Sequence, residues 1–170
     1  LKFDWINVRG VGTMASSTGQ LISPAEALRV YPPETIRYLF ARTRPDREFE
    51  ISFDLDVLKT YEDYDRAGRV YRGVEQASEE RRTREGRAIE LAEVDAEQRP
   101  PAGQVEVSFR HLCNLLQIHD GDVDEVVGSM LDGAADVTVQ NRLRERSVRA
   151  WHWVTTLAPA EFRFRLRSAD

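Results

Sequence analysis

The chain has 170 residues, 41% hydrophobic and 31% charged, with a formal net charge of −5. That suffices for one ordinary domain or two small ones with a core, and it argues against a protein whose whole surface binds nucleic acid while leaving room for a local basic face. A single cysteine, Cys113, excludes an internal disulfide and a cysteine-rich zinc site; with no signal peptide and no run of transmembrane length, a reducing cytoplasm is the expected setting and no membrane partner is expected.

In chain order, Phe3, Trp5, Ile6 and Val8 suggest a buried strand within residues 3–8. The stretch from Gly10 to Gly19 is glycine and hydroxyl with almost no apolar bulk, so a loop over about 9–22 is expected. Ser23-Pro24-Ala25-Glu26 reads as a helix start, with Ser23 as N-cap, Pro24 at the first helical position and Glu26 completing a capping box. A polar glycine loop feeding a helix N-terminus is a ready anion site, but the same composition suits a plain connecting loop, and the lysine-bearing phosphate-loop spacing is absent. The helix is expected to run to about Val30 with Ala27, Leu28 and Tyr31 inward. Pro32-Pro33 breaks it, and a second helix starts at Pro33 with Ile36, Leu39 and Phe40 as its core stripe.

Glu48 to Phe53 alternates as a short strand or extended linker, and Asp54 or Asp56 then opens a helix carrying Leu58, Tyr61, Tyr64, Ala67, Val70 and Tyr71. From Glu75 to Leu91 the charge is dense and Ala77, Ile89 and Leu91 are the apolar anchors, which predicts a thinly packed or flexible helix. Residues 97–104 read as a linker. Ser108 then caps a helix with Phe109, Leu112, Cys113, Leu115 and Leu116. Asp122 and Glu125 form a second capping box, and Gly133 stops that helix. A last helix runs from about Asp136 to Leu157 with Val139, Leu143, Ala150, Val154 and Leu157 buried; Trp151 and Trp153 point to different faces, and Trp151 reads as core rather than as a base-stacking platform. Beyond Pro159, Phe162, Phe164 and Leu166 alternate with Arg163, Arg165 and Arg167, as in an edge strand or tail.

Several stretches carry a family resemblance. Thr13-Met14-Ala15-Ser16-Ser17 followed by Thr18-Gly19 is similar to the K-M-S-K-S signature loop of class I aminoacyl-tRNA synthetases, and more narrowly to the K-M-S-S-S form of class I lysyl-tRNA synthetase. Phe3-Asp4-Trp5-Ile6 resembles the strand leading into it. Pro33-Glu34-Thr35-Ile36-Arg37-Tyr38 resembles the family's P-E-x-x-R-Y helix. Tyr64-Asp65-Arg66, Arg69-Val70-Tyr71 and Gly73-Val74-Glu75 resemble its E-Y-D-R-x-x-R-I-Y-F-G-x-E pattern, and Trp151 to Phe164 its W-x-x-x-x-A-P-x-x-F-x-F run. Order and spacing together cover nearly the whole chain.

The resemblance implies a mainly α chain, a fragment of a longer protein. It would comprise the end of a Rossmann-type catalytic domain with the signature loop (residues 1–22), a stem-contact connector (23–98), a linker (99–103) and part of a helical anticodon-binding bundle (104–170). An H-I-G-H signature is expected upstream, since His111, His119 and His152 lack its context. The implied activity is ATP-dependent activation of lysine and its transfer to tRNA(Lys), with Mg²⁺ accompanying ATP as substrate and no protein-bound metal. Thr13, Met14, Ser16 and Ser17 occupy the catalytic positions of the loop, and Gly12, Ser16, Ser17, Thr18 and Gly19 those that would hold the nucleotide. Thr13 stands where the family usually has a lysine, and Ala15 lacks a hydroxyl. Arg42 and Arg44 are candidates for the tRNA stem. Arg142, Arg146 and Arg149 share one outward helix face and are candidates for RNA phosphates, against the plainer reading of a solvated row. A non-catalytic helical RNA-binding module and a glutamyl-tRNA synthetase-like enzyme are the alternatives, and the 170-residue chain alone is expected to charge nothing.

Overall fold

The computed structural model describes residues 6–8, 12–13, 23–44, 47, 49–94, 107–131 and 136–165. The chain divides into two compact units, Leu1–Gln104 and Val105–Asp170, and both are mainly helical among the described residues. The linker expected over 99–103 lies outside the described residues.

In the first unit β1 (Ile6–Val8) pairs antiparallel with β2 (Gly12–Thr13) and parallel with β3 (Phe49–Ile51), giving the order β2-β1-β3. Gly12 and Thr13, expected within the loop, are thus a short strand: with Val8 opposite Gly12 and Asn7 opposite Thr13, the chain reverses directly after β1. A parallel pair needs a crossover, and α1 (Pro24–Val30) and α2 (Pro33–Arg42) supply it. Ser23 caps α1 as its sequence predicts: its Oγ accepts from the Glu26 amide at 3.2 Å, and its own amide donates to Glu26 Oε2 at 2.7 Å. Ala27, Val30 and Tyr31 form the inward i, i+3, i+4 line; Leu28 falls outside it and is 41% exposed, contrary to expectation.

The stripe expected on α2 is also displaced. Thr35 and Tyr38 are buried, whereas Phe40 is exposed and Ile36 and Leu39 are half-buried. A tyrosine can take a core position when its hydroxyl has a partner, and Tyr38 donates to Glu85 Oε2 at 3.0 Å. Helix α3 (Asp56–Tyr71) opens with the Asp56 amide donating to Asp54 Oδ1 at 2.9 Å, so Asp54 is the residue that signals its start. Its inward face is Val57, Leu58, Tyr61, Ala67 and Val70. Helix α4 (Glu79–Ala92) packs on α2 and α3 through Glu85, Gly86, Ala88, Ile89 and Ala92, a face of mostly small residues that hydropathy undervalues; Leu91, expected as an anchor, is exposed. Gly86 has a steric reason: a Cβ there would lie 3.3 Å from the Tyr71 ring. Other tyrosines tie the unit together, with Tyr31 donating to Ser52 O, Tyr61 to Val30 O and Tyr64 to Glu93 Oε1.

The second unit contains α5 (Phe109–Ile118), α6 (Val123–Met130) and α7 (Val137–Thr156). Ser108 Oγ accepts from the His111 amide, as expected of a cap. Asp122 Oδ1 accepts from the Glu125 amide at 2.9 Å, but Glu125 does not close the box: its carboxylate meets His119 Nδ1 at 3.0 Å, and the Asp122 amide donates to His119 O. The core holds Phe109, Leu112, Cys113, Leu116, Val126, Val127, Leu143, Ala150, Trp153 and Val154. Trp153, not Trp151, is the fully buried tryptophan; Trp151 is half-buried, its ring lying directly over Gly121. Val139 is half-buried and Leu157 exposed, so the apolar stripe of α7 is shorter than expected. After Pro159 a 3₁₀ turn (Ala160–Phe162) sets the Phe162 ring 5.0 Å from Trp153, and residues 163–165 follow without strand pairing. The Phe164 amide donates to the buried Gln117 side chain at 2.7 Å.

Candidate functional site

Both ends of the signature-like loop are anchored in the first unit. Thr13 is the last residue of β2 and stands opposite Asn7, which on its other side pairs with Glu50 of β3. Three polar residues therefore share one row across the sheet, at the point where the chain enters the loop. Gly12 sits in the same strand. Met14, Ser16, Ser17, Thr18 and Gly19 lie outside the described residues. At the other end the chain enters α1 through the Ser23–Glu26 box.

That box takes up the polar groups of Ser23 and Glu26 at the helix start. The Ser23 and Glu26 amides are taken, Pro24 has no N–H, and the Glu26 carboxylate occupies the position an anion would need. The bonded Ser23 amide holds the Glu26 carboxyl below its ordinary value, so it stays charged.

The arginines singled out by sequence are placed differently from one another. Arg42 Nη1 meets Asp63 Oδ2 at 3.0 Å and its guanidinium lies 5.3 Å from the Tyr38 ring centre, so its charge is largely answered within the unit. Arg44 is exposed. Arg142, Arg146 and Arg149 do not form the outward row expected: all three are half-buried. Arg146 lies over the Phe109 ring at 6.0 Å. The Arg149 side chain is only 20% exposed, bonds to Glu145, and keeps a buried Nε with no hydrogen-bond partner. Their line along α7 leads to the buried Trp153. Arg163 turns back onto α7, donating to Ala158 O and Thr155 O.

The motif residues of α2 and α3 have structural employment. Arg37 donates to Ala92 O at 2.7 Å, closing the end of α4. Arg66 and Arg69 both hold Glu75, which the turn at Gly73 (φ +74) folds back onto α3; the Arg66 hydrogen bond foremost holds the Glu75 carboxyl below its ordinary range. Burial pushes the Cys113 thiol up to about 12, so it is no nucleophile near neutral pH. No cluster of metal-ligating side chains occurs, and no helix is long and apolar enough to cross a membrane, among the described residues.

The sequence pattern of the family described as tRNA synthetases class I (K) matches residues 1–95, more than half of the chain. The chain belongs to that family. It is 43% identical over 169 residues to the lysine–tRNA ligase of Treponema pallidum, covering 98% of this chain and 31% of that protein. It is 38% identical to the lysine–tRNA ligase of Borreliella burgdorferi, over 98% of this chain and 32% of that protein. An archaeal lysine–tRNA ligase, from Methanosarcina barkeri, is 25% identical over 98% of this chain and 30% of its own length. The chain thus spans about a third of the length of these synthetases. The match to this family spans β1 to β3 and α1 to α4, and so includes β2 and α1, which stand at the loop's two ends.

Proposed function

We propose that the parent protein of this chain is a lysine–tRNA ligase, which activates lysine with ATP and Mg²⁺ and transfers it to tRNA(Lys). The observation that carries this reading is the lysine-type family match over the stretch that holds the loop. Residues 1–22 would end the catalytic domain, 23–98 contact the tRNA stem, 99–103 link, and 104–170 begin the anticodon-binding region. In the loop, Thr13, Met14, Ser16 and Ser17 take the catalytic positions, with Gly12, Thr18 and Gly19 bringing backbone close to the phosphates. Their work is to aim preorganised donors at the charge that develops on the departing pyrophosphate, an effect of a few kcal/mol per donor, about 3. Two anchored ends favour such preorganisation. Arg42, Arg44, Arg142, Arg146 and Arg149 are the tRNA-facing residues in this reading, Arg42 and Arg44 the exposed ones among them. The protein works in the cytoplasm, with no membrane partner.

The test is lysine charging by the complete parent protein with ATP, Mg²⁺ and tRNA. Lysine-specific charging is expected from the parent and none from residues 1–170 alone. Charging of a different amino acid, or charging by the isolated chain, would overturn the proposal. Thr13 and Ala15 favour a second reading, an RNA-binding relic without catalysis; tRNA binding with no charging would select it.

A further inference from the structure

We infer that Tyr31 and Tyr61 are positioning residues for the reaction: through a crossed pair of buried hydrogen bonds they fix the two ends of the signature loop relative to each other. The inference rests on the synthetase reading above and names what holds that site in place. The loop leaves the sheet at Thr13 of β2, and the chain enters the next helix at Pro24 of α1. Neither tyrosine is among the motif residues that carry the family resemblance.

Each tyrosine spans a different gap. Tyr31, the residue that ends α1, donates to Ser52 O at 2.5 Å, directly beyond β3. Tyr61, on α3, donates at 2.6 Å to the carbonyl of Val30, the last residue of α1. The two rings stack on each other at 5.8 Å, and Phe53 packs on Tyr31 at 5.9 Å. β3 in turn is paired with β1, Ile51 opposite Val8, and β1 with β2, Asn7 opposite Thr13. From β3 to β2 is two strand spacings, about 10 Å. The sheet, α1 and α3 thus form one frame, and both ends of the loop are attached to it.

The hydroxyls ask for a reason. Val30, Tyr31 and Tyr61 are buried. Phenylalanine would fill the same aromatic stack without the cost of burying a hydroxyl. Burial raises the Tyr31 pKa, so its hydroxyl stays protonated and able to donate. What the hydroxyls add is a fixed distance and direction. Helix α1 has seven residues and buries only Ala27 and Val30, a small apolar contact that leaves its tilt to be set by directed bonds. Val30 O is one of the carbonyls that a helix end leaves without an intrahelical partner, and Tyr61 takes it. Where donors must meet developing charge, a misplacement of about 1 Å costs on the order of a hundredfold in rate.

The experiment uses the complete parent protein with Tyr31→Phe, Tyr61→Phe and, as control, Tyr38→Phe, which deletes a buried hydroxyl bond that joins α2 to α4 instead. Lysine charging is measured at steady state with ATP, Mg²⁺ and tRNA, well below each melting temperature. Tyr31→Phe and Tyr61→Phe should each lower kcat about tenfold with KM for lysine and for tRNA unchanged, because misplaced loop donors are missed in the transition state and not in the bound substrates. Tyr38→Phe should lower the melting temperature as much and leave kcat unchanged. The double variant should lose little more than either single one, since both bonds hold one frame. Deuterium uptake by residues 24–31 should be about fivefold faster in Tyr61→Phe than in Tyr38→Phe. Unchanged kcat in both loop-frame variants, or an equal loss of kcat in Tyr38→Phe, overturns the inference and marks these tyrosines as purely structural. A wild-type parent that charges no lysine overturns the synthetase reading and this inference with it, so the two failures are distinguishable.

Discussion

Gly121 is the most demanding position in the second unit, and Gly121→Ala tests why. The residue sits at φ +86 in the turn between α5 and α6, directly after Asp120 at φ +47, and its amide donates to Leu116 O at 2.8 Å. An added Cβ would lie 2.4 Å from Trp151 Cε2 and 2.6 Å from Cζ2. The left-handed backbone alone costs an L-residue about 1–2 kcal/mol. Forcing the indole aside adds an overpacking term of about 1–3 kcal/mol. A total near 3 kcal/mol corresponds to a melting-temperature loss on the order of 10 °C or more for a unit of this size. Urea unfolding followed by circular dichroism and tryptophan fluorescence reads the effect. Gly128→Ala is the control: it is an exposed position of α6 with nothing within 4 Å of the new Cβ, and should gain up to about 1 kcal/mol. A cycle with Trp151→Ala separates the two costs, since removing the ring should recover the steric part and leave the backbone part. If Gly121→Ala lies within about 0.5 kcal/mol of the wild type, or shows no coupling to Trp151, the account of this turn is wrong.

Four further outcomes are expected. Tyr38→Phe removes the donor to the buried Glu85 carboxylate and should destabilise the first unit by about 1–3 kcal/mol in chemical denaturation. Cys113, with its thiol at about 12, should resist alkylation at pH 8 until the second unit opens, so its modification rate should track urea concentration. Glu26, Glu75 and Asp136 all have depressed folded pKa values, so their contribution is present above the ordinary 4.5 and 3.8 and is lost as pH falls through the folded values; the urea midpoint should be flat from about pH 7 to 5, then drop, and Glu75→Gln should shrink the drop. Thr13→Lys in the parent protein should change the charging rate less than about tenfold, or 1.4 kcal/mol; a gain of about a hundredfold would show that the threonine-bearing loop is crippled.

Helix starts were the most legible part of the sequence. Ser23 with Glu26, and Ser108, satisfy backbone donors within a few residues, and Pro33 at the first helical position has no N–H to satisfy, so their physics is local and each stands where its residues put it. Inward faces were less legible, because burial depends on partners far along the chain. Tyr38 displaced Phe40 from the core of α2 because Glu85, on another helix, receives its hydroxyl. Trp151 and Trp153 lie on different faces of α7, and the packing of Phe109 and Phe162 on Trp153 shows which face fills the core, while Trp151 covers Gly121. Long polar side chains were misjudged in the same way: Arg142, Arg146 and Arg149 count as outward by charge, yet all three are half-buried. In the candidate site, the loop's composition was readable, but the row Thr13–Asn7–Glu50 was not, since strand register is fixed by pairing partners.

The placement of β1 between β2 and β3 bears on how the first unit assembles. β2 comes directly after β1 in the chain, so that antiparallel pair can zip at once. β3 reaches β1 only after α1 and α2 have been laid down, and closing so large a loop is entropically slow. The pairing of α3 with α4 spans a short turn and has no such delay. During synthesis, then, β1 and β2 can pair before Phe49 has been added, and a chain interrupted before Phe49 would carry β1 with one edge still open.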